Sequence, residues 1–424
     1  MTATTGTRRP AAKRRSPATS REARRFIPAF VERRGGTVWS VWLAIVVSAL
    51  CVFGTVMVFG ASSVASIDAG GDPFHYIARH VAFLTGGALL YFVLSRIDYR
   101  KLRVLGGIGL AAAIVLCGAV LFVGVYSGGA KRWLDLGFTT FQPSEAIKLP
   151  LAIVLAAFLT NRERAGDLTS LRRTYLPIAA VAGFITFLVM AEPDFDSTLV
   201  LLGLVAGMLF VAGVPSRWLA WSVVLLSPIV AWALSQPFRR QRMFIFLHPW
   251  QDPLNSGYQS IAASTSMALG GWFGTGVGSS TAKWGFLPVA YSDYIFAVIG
   301  EETGVLGCVG VIACFVLFGW IGMNVARRAP DRFGQLLAVG LTLTVLLQAM
   351  INIGMVVGIV PVSGLTLPFL SYGGTSLVLM LAAAGISIPS VLLLSKVIQP
   401  KPLIYFVATL MILYTCLGIV FYVA

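Results

Sequence analysis

Residues 287–302, LPVAYSDYIFAVIGEE, begin like a loop and end like a membrane helix. They carry Asp293 at the junction and Glu301 and Glu302 further in. A carboxylate at the centre of a bilayer helix costs about 2.5–3.5 kcal/mol even on a lenient insertion scale. On a helix Glu301 lies roughly 12 Å deeper than Asp293, at 1.5 Å rise per residue. Three such acids on one segment cannot face lipid and must face a polar interior. The two glutamates suit a buried structural network with Lys148, Lys283 or Arg242. Asp293 sits at the loop–helix boundary, where a substrate could reach it, and is the better catalytic candidate.

The rest of the chain agrees that this is a membrane helix. Of 424 residues, 57% are hydrophobic and only 12% charged, against about 25% charged in a soluble globular protein. Eleven apolar segments follow one another, near 38–60, 76–95, 103–125, 145–160, 175–191, 197–213, 218–235, 294–321, 334–357, 375–394 and 402–423. The expected fold is an all-α polytopic membrane protein. Residues 1–37 form a basic, disordered cytoplasmic tail near anionic lipid, or a topology signal alone. They are too long and too charged for the n-region of a signal peptide.

Charge sets the orientation. With the N-terminus in the cytoplasm, the cytoplasmic segments together with Arg103 at the membrane edge carry 24 of the 32 Lys and Arg, and 11 of the 17 acids fall on or near the outer side. That is a positive-inside pattern, and it places Asp293 at the outer face. The net charge of +15 does not point to nucleic acid, because no aromatics are interleaved with the basic tail. The five cysteines lie in apolar runs without CxxC spacing, and the three histidines are scattered, so neither suggests a metal centre.

The long outer connection, 236–293, is rich in Trp, Phe, Tyr, Gly and Pro, which is not a disordered composition. It should form a structured, partly re-entrant cap over a groove. Its GGWFGTGVGSSTAK (270–283) is not a phosphate loop, since Ala282 precedes Lys283 and Trp284 follows it. In GGAKRWLDLGFTTFQPSEAIKL (128–149), Pro143 and Ser144 start a helix that puts Glu145 and Lys148 on one face. An ion pair at the mouth of a membrane helix points to function, though a plain intrahelical pair is the alternative. Arg132 is placed to bind phosphate or to anchor at the interface. AEPDFDST (191–198) groups three acids, as a cation site or a solvated loop. PVSGLTLPFLSYGGTS (361–376) should line the same cavity.

Together, and in this order, these stretches resemble the SEDS family (shape, elongation, division and sporulation), over about residues 40–395. Trp250 and the GYQ at 257–259 resemble its FtsW branch more than its RodA branch. The resemblance implies a bundle of ten transmembrane helices over 38–395 and a large extracytoplasmic loop. This chain adds an extra C-terminal helix within 396–424. The implied activity is peptidoglycan glycosyl transfer: polymerisation of lipid II outside the cytoplasmic membrane, at the division septum for the FtsW branch, with a class B penicillin-binding protein as partner. The family's essential aspartate corresponds to Asp293. Roles in substrate binding are implied for Glu145 and Lys148, and further for Arg132, Arg242, Gln259 and Lys283. The family usually carries Glu and His where this chain has Val289 and Tyr291.

The reaction inverts an α-diphosphate to a β-1,4 link. It needs a base on the acceptor hydroxyl and positive charge on the leaving diphosphate. Asp293 is the base on this reading. Some of Arg132, Lys148, Arg242 and Lys283 meet the leaving group. A divalent cation (Mg2+ or Mn2+) would suit the diphosphate, though no ligand cluster demands one. A RodA-like polymerase, a lipid II flippase and a non-catalytic scaffold are the other functions considered.

Overall fold

The structure is a computed structural model that describes residues 29–68, 71–127, 130–137, 139–235, 246–255 and 257–387. Of the tail expected to be disordered over 1–37, residues 29–37 instead belong to α1, which begins at Ala29; residues 1–28, Arg242 and the segment 402–423 lie outside the described residues. The chain runs α1 (Ala29–Asp68), α2 (His75–Arg96), α3 (Leu102–Val123), then a small sheet of β1 (Val125–Ser127), β2 (Ala130–Asp135) and β3 (Thr140–Phe141). It continues through α4 (Pro143–Ala146), α5 (Lys148–Arg164), α6 (Leu176–Ala191), α7 (Phe195–Ala212) and α8 (Ser216–Ser235). The last elements are α9 (Tyr258–Gly270), α10 (Ile295–Arg327), α11 (Arg332–Val356) and α12 (Gly374–Ser387).

Among the described residues, eight helical stretches are long and apolar enough to cross a membrane. They fall where the hydrophobic runs predict. The protein is an all-α polytopic membrane protein, with the shorter apolar α12 packed mainly on α2. At the centre lies α11, which packs on α5, α7, α10 and α12. Leu336, Leu337, Ala338 and Val345 of α11 are buried with Leu155 and Ala156 of α5 and Leu204 of α7.

The sheet in 125–141 is not foreseen by hydropathy. It is antiparallel in the order β1–β2–β3, short, and built on Val125, Tyr126 and Trp133, residue types that suit strands. It carries Arg132 from the end of α3 to the start of α4.

The helix expected over 294–321 is longer and broken. In α10, Gly304 takes a left-handed, non-helical conformation (φ 68°, ψ −167°). Turn-forming residues 271–276 occupy the break. Thr275 N donates to Glu301 O at 2.9 Å and Gly276 N to Glu302 O at 3.1 Å, while Val305 N donates to Gly271 O at 2.9 Å. Backbone groups freed by the break thus find partners in the loop, which makes an interrupted helix tolerable at membrane depth. A Cβ on Gly274 would fall on the Glu302 carbonyl oxygen. Gly270 and Gly274 serve this close approach.

Candidate active site

At one end of the bundle a cavity of about 610 Å³ opens between β2, α4, the turn before α7, residues 288–294 and the 361–376 segment. Asp293 lies on its wall, one residue before Tyr294, which caps α10. Its carboxyl accepts Ser292 Oγ at 2.9 Å. Asp293 is partly open to solvent, yet protein packed around the carboxyl raises its pKa to about 6, against the opposing pull of Ser292 and Arg132. An acid tuned there is mostly ionised at neutral pH and close enough in pKa to exchange protons.

Arg132 reaches the same cavity from β2 and donates to the Pro193 carbonyl. The acids of 191–198 are not a solvated loop. Glu192, Asp194 and Asp196 are all buried. Asp194 caps α7 through Ser197 N at 3.1 Å and also accepts Ser144 Oγ at 2.7 Å and Gln142 Nε2 at 3.0 Å. It therefore ties the start of α7 to the start of α4. Asp196 lines the cavity and accepts Gly364 N at 3.0 Å. Burial pushes the Glu192 carboxyl up to about 8; the Cys117 thiol works against this, and the negative charge of Asp194 adds to it.

Glu145 and Lys148 are brought together, as the i, i+3 spacing predicts. Both are buried, and Lys148 Nζ lies 2.5 Å from Glu145 Oε1. Lys148 also donates to Gln348 Oε1 at 2.8 Å, and Gln348 Nε2 passes the chain on to Ser376 Oγ at 3.0 Å. Glu145 lines the cavity; Lys148 stands behind it, fully buried. Gln259, near the start of α9, also lines the cavity.

The other expected residues lie elsewhere. Lys283 donates to the Gly278 carbonyl and is not on the cavity wall. Glu301 is bound by Ser280 Oγ at 2.7 Å, Thr281 N at 2.6 Å and Thr281 Oγ1 at 2.6 Å. Glu302 accepts Ser280 N at 3.4 Å. Among the described residues the hydrogen-bond partners of Glu301 are hydroxyls and amides of 280–282, not Lys148 or Lys283; Arg242 lies outside them. This network anchors the segment that leads to Asp293.

Several residues on the cavity wall or packed behind it are not foreseen. Arg79 of α2 lines it, a cation on the side where basic residues are scarce. Gln348 and Asn352 are fully buried amides one helical turn apart in an apolar helix; that i, i+4 spacing on α11 is a signal the sequence carries. Tyr291 packs against Tyr76 at 4.7 Å and Tyr372 at 5.6 Å between ring centroids. Tyr372 N donates to Tyr291 O at 3.0 Å, so the aromatic group fixes the backbone two residues before Asp293.

A polytopic helical protein with a carboxylate and a guanidinium facing one cavity at the bundle's end is the class these features define. The sequence model of the cell cycle protein family, FtsW/RodA/SpoVE, matches residues 41–391, and the chain belongs to that family. It is 36% identical over 347 residues to stage V sporulation protein E of Bacillus subtilis, covering 81% of this chain and 94% of that one. It is 35% identical to the probable peptidoglycan glycosyltransferase FtsW of Aliivibrio salmonicida, over 82% of this chain and 87% of the other. Among solved structures it is similar to a chain of a peptidoglycan synthase complex that coordinates polymerization and crosslinking, with a TM-score of 0.69 and 29% identity over 84% of this chain and 98% of that one.

Proposed function

We propose that this protein is an inverting peptidoglycan glycosyltransferase that polymerises lipid II into β-1,4 glycan strands. The observation that carries this reading is the pairing of Asp293 and Arg132 across one cavity, each within 4 Å of the open space over Gly364. Asp293 takes the proton from the acceptor 4-hydroxyl. The hydroxyl oxygen attacks the anomeric carbon as the bond to the diphosphate breaks. The diphosphate leaves with that electron pair and is met by Arg132, with Arg79 on the same wall. Fixed positive charge stabilises a developing anion most where water is largely excluded. Lys148 acts from behind the wall, by holding Glu145 and Gln348.

The positive-inside distribution supports a cytoplasmic N-terminus and an outer cavity, where membrane-anchored substrate can be polymerised at the surface. Trp250, the GYQ at 257–259 and the relatives named FtsW favour a role in division, at the septum, with a class B penicillin-binding protein as partner. A divalent cation would neutralise the diphosphate. Among the described residues no three His, Cys, Asp or Glu converge on one point to form a closed cage. Asp196 and Asp293 are among the carboxylates on the cavity wall, with Asp135 and Glu145, enough for magnesium bound largely by phosphate.

The test is glycan formation from purified lipid II by this protein with its class B partner, wild type against Asp293→Asn. Long glycan from wild type and none from the variant is the expected result. No glycan from either, with the partner bound, would overturn the polymerase reading and make lipid II translocation the next measurement.

A further inference from the structure

We propose that the gap over Gly364 is the subsite that receives the reacting hydroxyl of the acceptor sugar, an assignment that rests on the polymerase reading above. A Cβ built on Gly364 would lie 3.8 Å from Asp293 Oδ2 and 3.9 Å from Arg132 Nη1, with no other atom of the described residues beyond its chain neighbours within 4 Å. The backbone there is not left-handed, so conformation does not require glycine. Its missing side chain leaves a space flanked by the base on one side and the cation on the other. The Gly364 amide is already committed to Asp196 Oδ2 at 3.0 Å, which holds the floor of the gap in place. Next to it, Ser363 is buried (4% exposed) and lines the cavity, and its Oγ has no hydrogen-bond partner among the described residues.

Charge selects the occupant. A phosphate in the gap would face the carboxylates of Asp293 and Asp196. A metal ion would face the guanidinium of Arg132. A neutral hydroxyl can donate to Asp293 and accept from Arg132 at once, which is the geometry a base needs before it removes that proton. The unpaired Ser363 hydroxyl, both donor and acceptor, suits a neighbouring polar group on the same sugar.

The experiment is polymerisation of lipid II by the complex with its class B partner, comparing wild type, Gly364→Ala and Ser363→Ala, with binding of fluorescent lipid II measured in parallel. The alanine methyl meets only ordinary contact distances, so Gly364→Ala should fold. It should lower kcat on the order of a hundredfold, the effect of about 1 Å of misplacement at a reacting centre, while lipid II still binds. Ser363→Ala should lower the rate roughly tenfold, the value of about one lost hydrogen bond. A wild-type rate in Gly364→Ala overturns the subsite; should that variant not fold, a wild-type rate in Ser363→Ala does so. An inactive wild type with its partner bound would instead remove the polymerase reading, and the subsite with it.

Discussion

The side-chain amide of Asn352 bridges two walls of the cavity: its Nδ2 lies 2.8 Å from the carbonyl oxygen of Asp293 and 2.6 Å from that of Leu365. Asn352 is fully buried on α11. One side chain therefore sets the spacing between the segment that bears the proposed base and the loop that bears Gly364.

Asn352→Leu removes both donors and leaves two largely buried carbonyls unsatisfied, each at a cost of about 1–3 kcal/mol. The expected outcome is a lower melting temperature in detergent and a fall in kcat larger than any rise in KM, because the base is displaced and substrate contacts are not. Asn352→Asp should be at least as damaging, since a carboxylate would face the two carbonyls. Thermal unfolding and steady-state polymerisation check both. An Asn352→Leu protein with unchanged kcat would show that the position of Asp293 is fixed by other means.

A second prediction concerns pH. The Asp293 carboxyl has its pKa raised to about 6, chiefly by burial, and acts as a base only when ionised. Polymerisation should therefore fall as pH drops through about 6 and level off above about 7. The same shift acts on stability in the opposite sense. A carboxyl whose folded pKa lies above its unfolded value of about 3.9 binds its proton more tightly in the folded state. Its contribution is full below about 4 and is lost as pH rises through about 6. Asp293→Asn, inactive, should thus be no less stable than wild type at neutral pH and lose the unfolding-temperature dependence seen between those limits. A wild-type rate that is flat from pH 5 to pH 8 would rule out Asp293 as a base with this pKa.

Much of this organisation was legible in the residue order. Hydrophobic runs place the spans, because apolar length is a strict requirement of the bilayer. Asp293 stands out because an acid at a loop–helix junction is expensive without a polar partner. The break at Gly304 was not legible, since a single glycine inside an apolar run reads the same whether the helix continues or stops. Only the docking of 271–276 decides it. Lys148 was expected among the substrate ligands because its spacing to Glu145 is visible, but its partner Gln348 is 200 residues away. That long-range bond draws the ammonium off the cavity wall. The buried state of Asp194 depends likewise on Gln142 and Ser144, roughly 50 positions earlier, and Asp196 accepts the amide of Gly364, 168 positions later.

The buried pair Glu145–Lys148 supplies the last prediction. Taking both charges out of water is costly, and their attraction offsets that cost only while both are present. Lys148→Met leaves the Glu145 carboxylate buried beside Gln348 with no cation, and should cost about 3–5 kcal/mol of stability. The double variant Glu145→Gln/Lys148→Met removes the stranded charge along with its partner, so it should recover much of that loss. Activity should not recover in parallel. Glu145 lines the cavity, and the chain from Lys148 through Gln348 to Ser376 holds the start of α12 against the same wall. A double-mutant cycle in unfolding temperature, with polymerisation measured on the same four proteins, separates the two effects. If stability and activity recover together, the pair is a structural brace and nothing more. If stability recovers while activity stays low, and Glu145→Gln alone is as inactive, the charge of Glu145 is needed at the cavity itself.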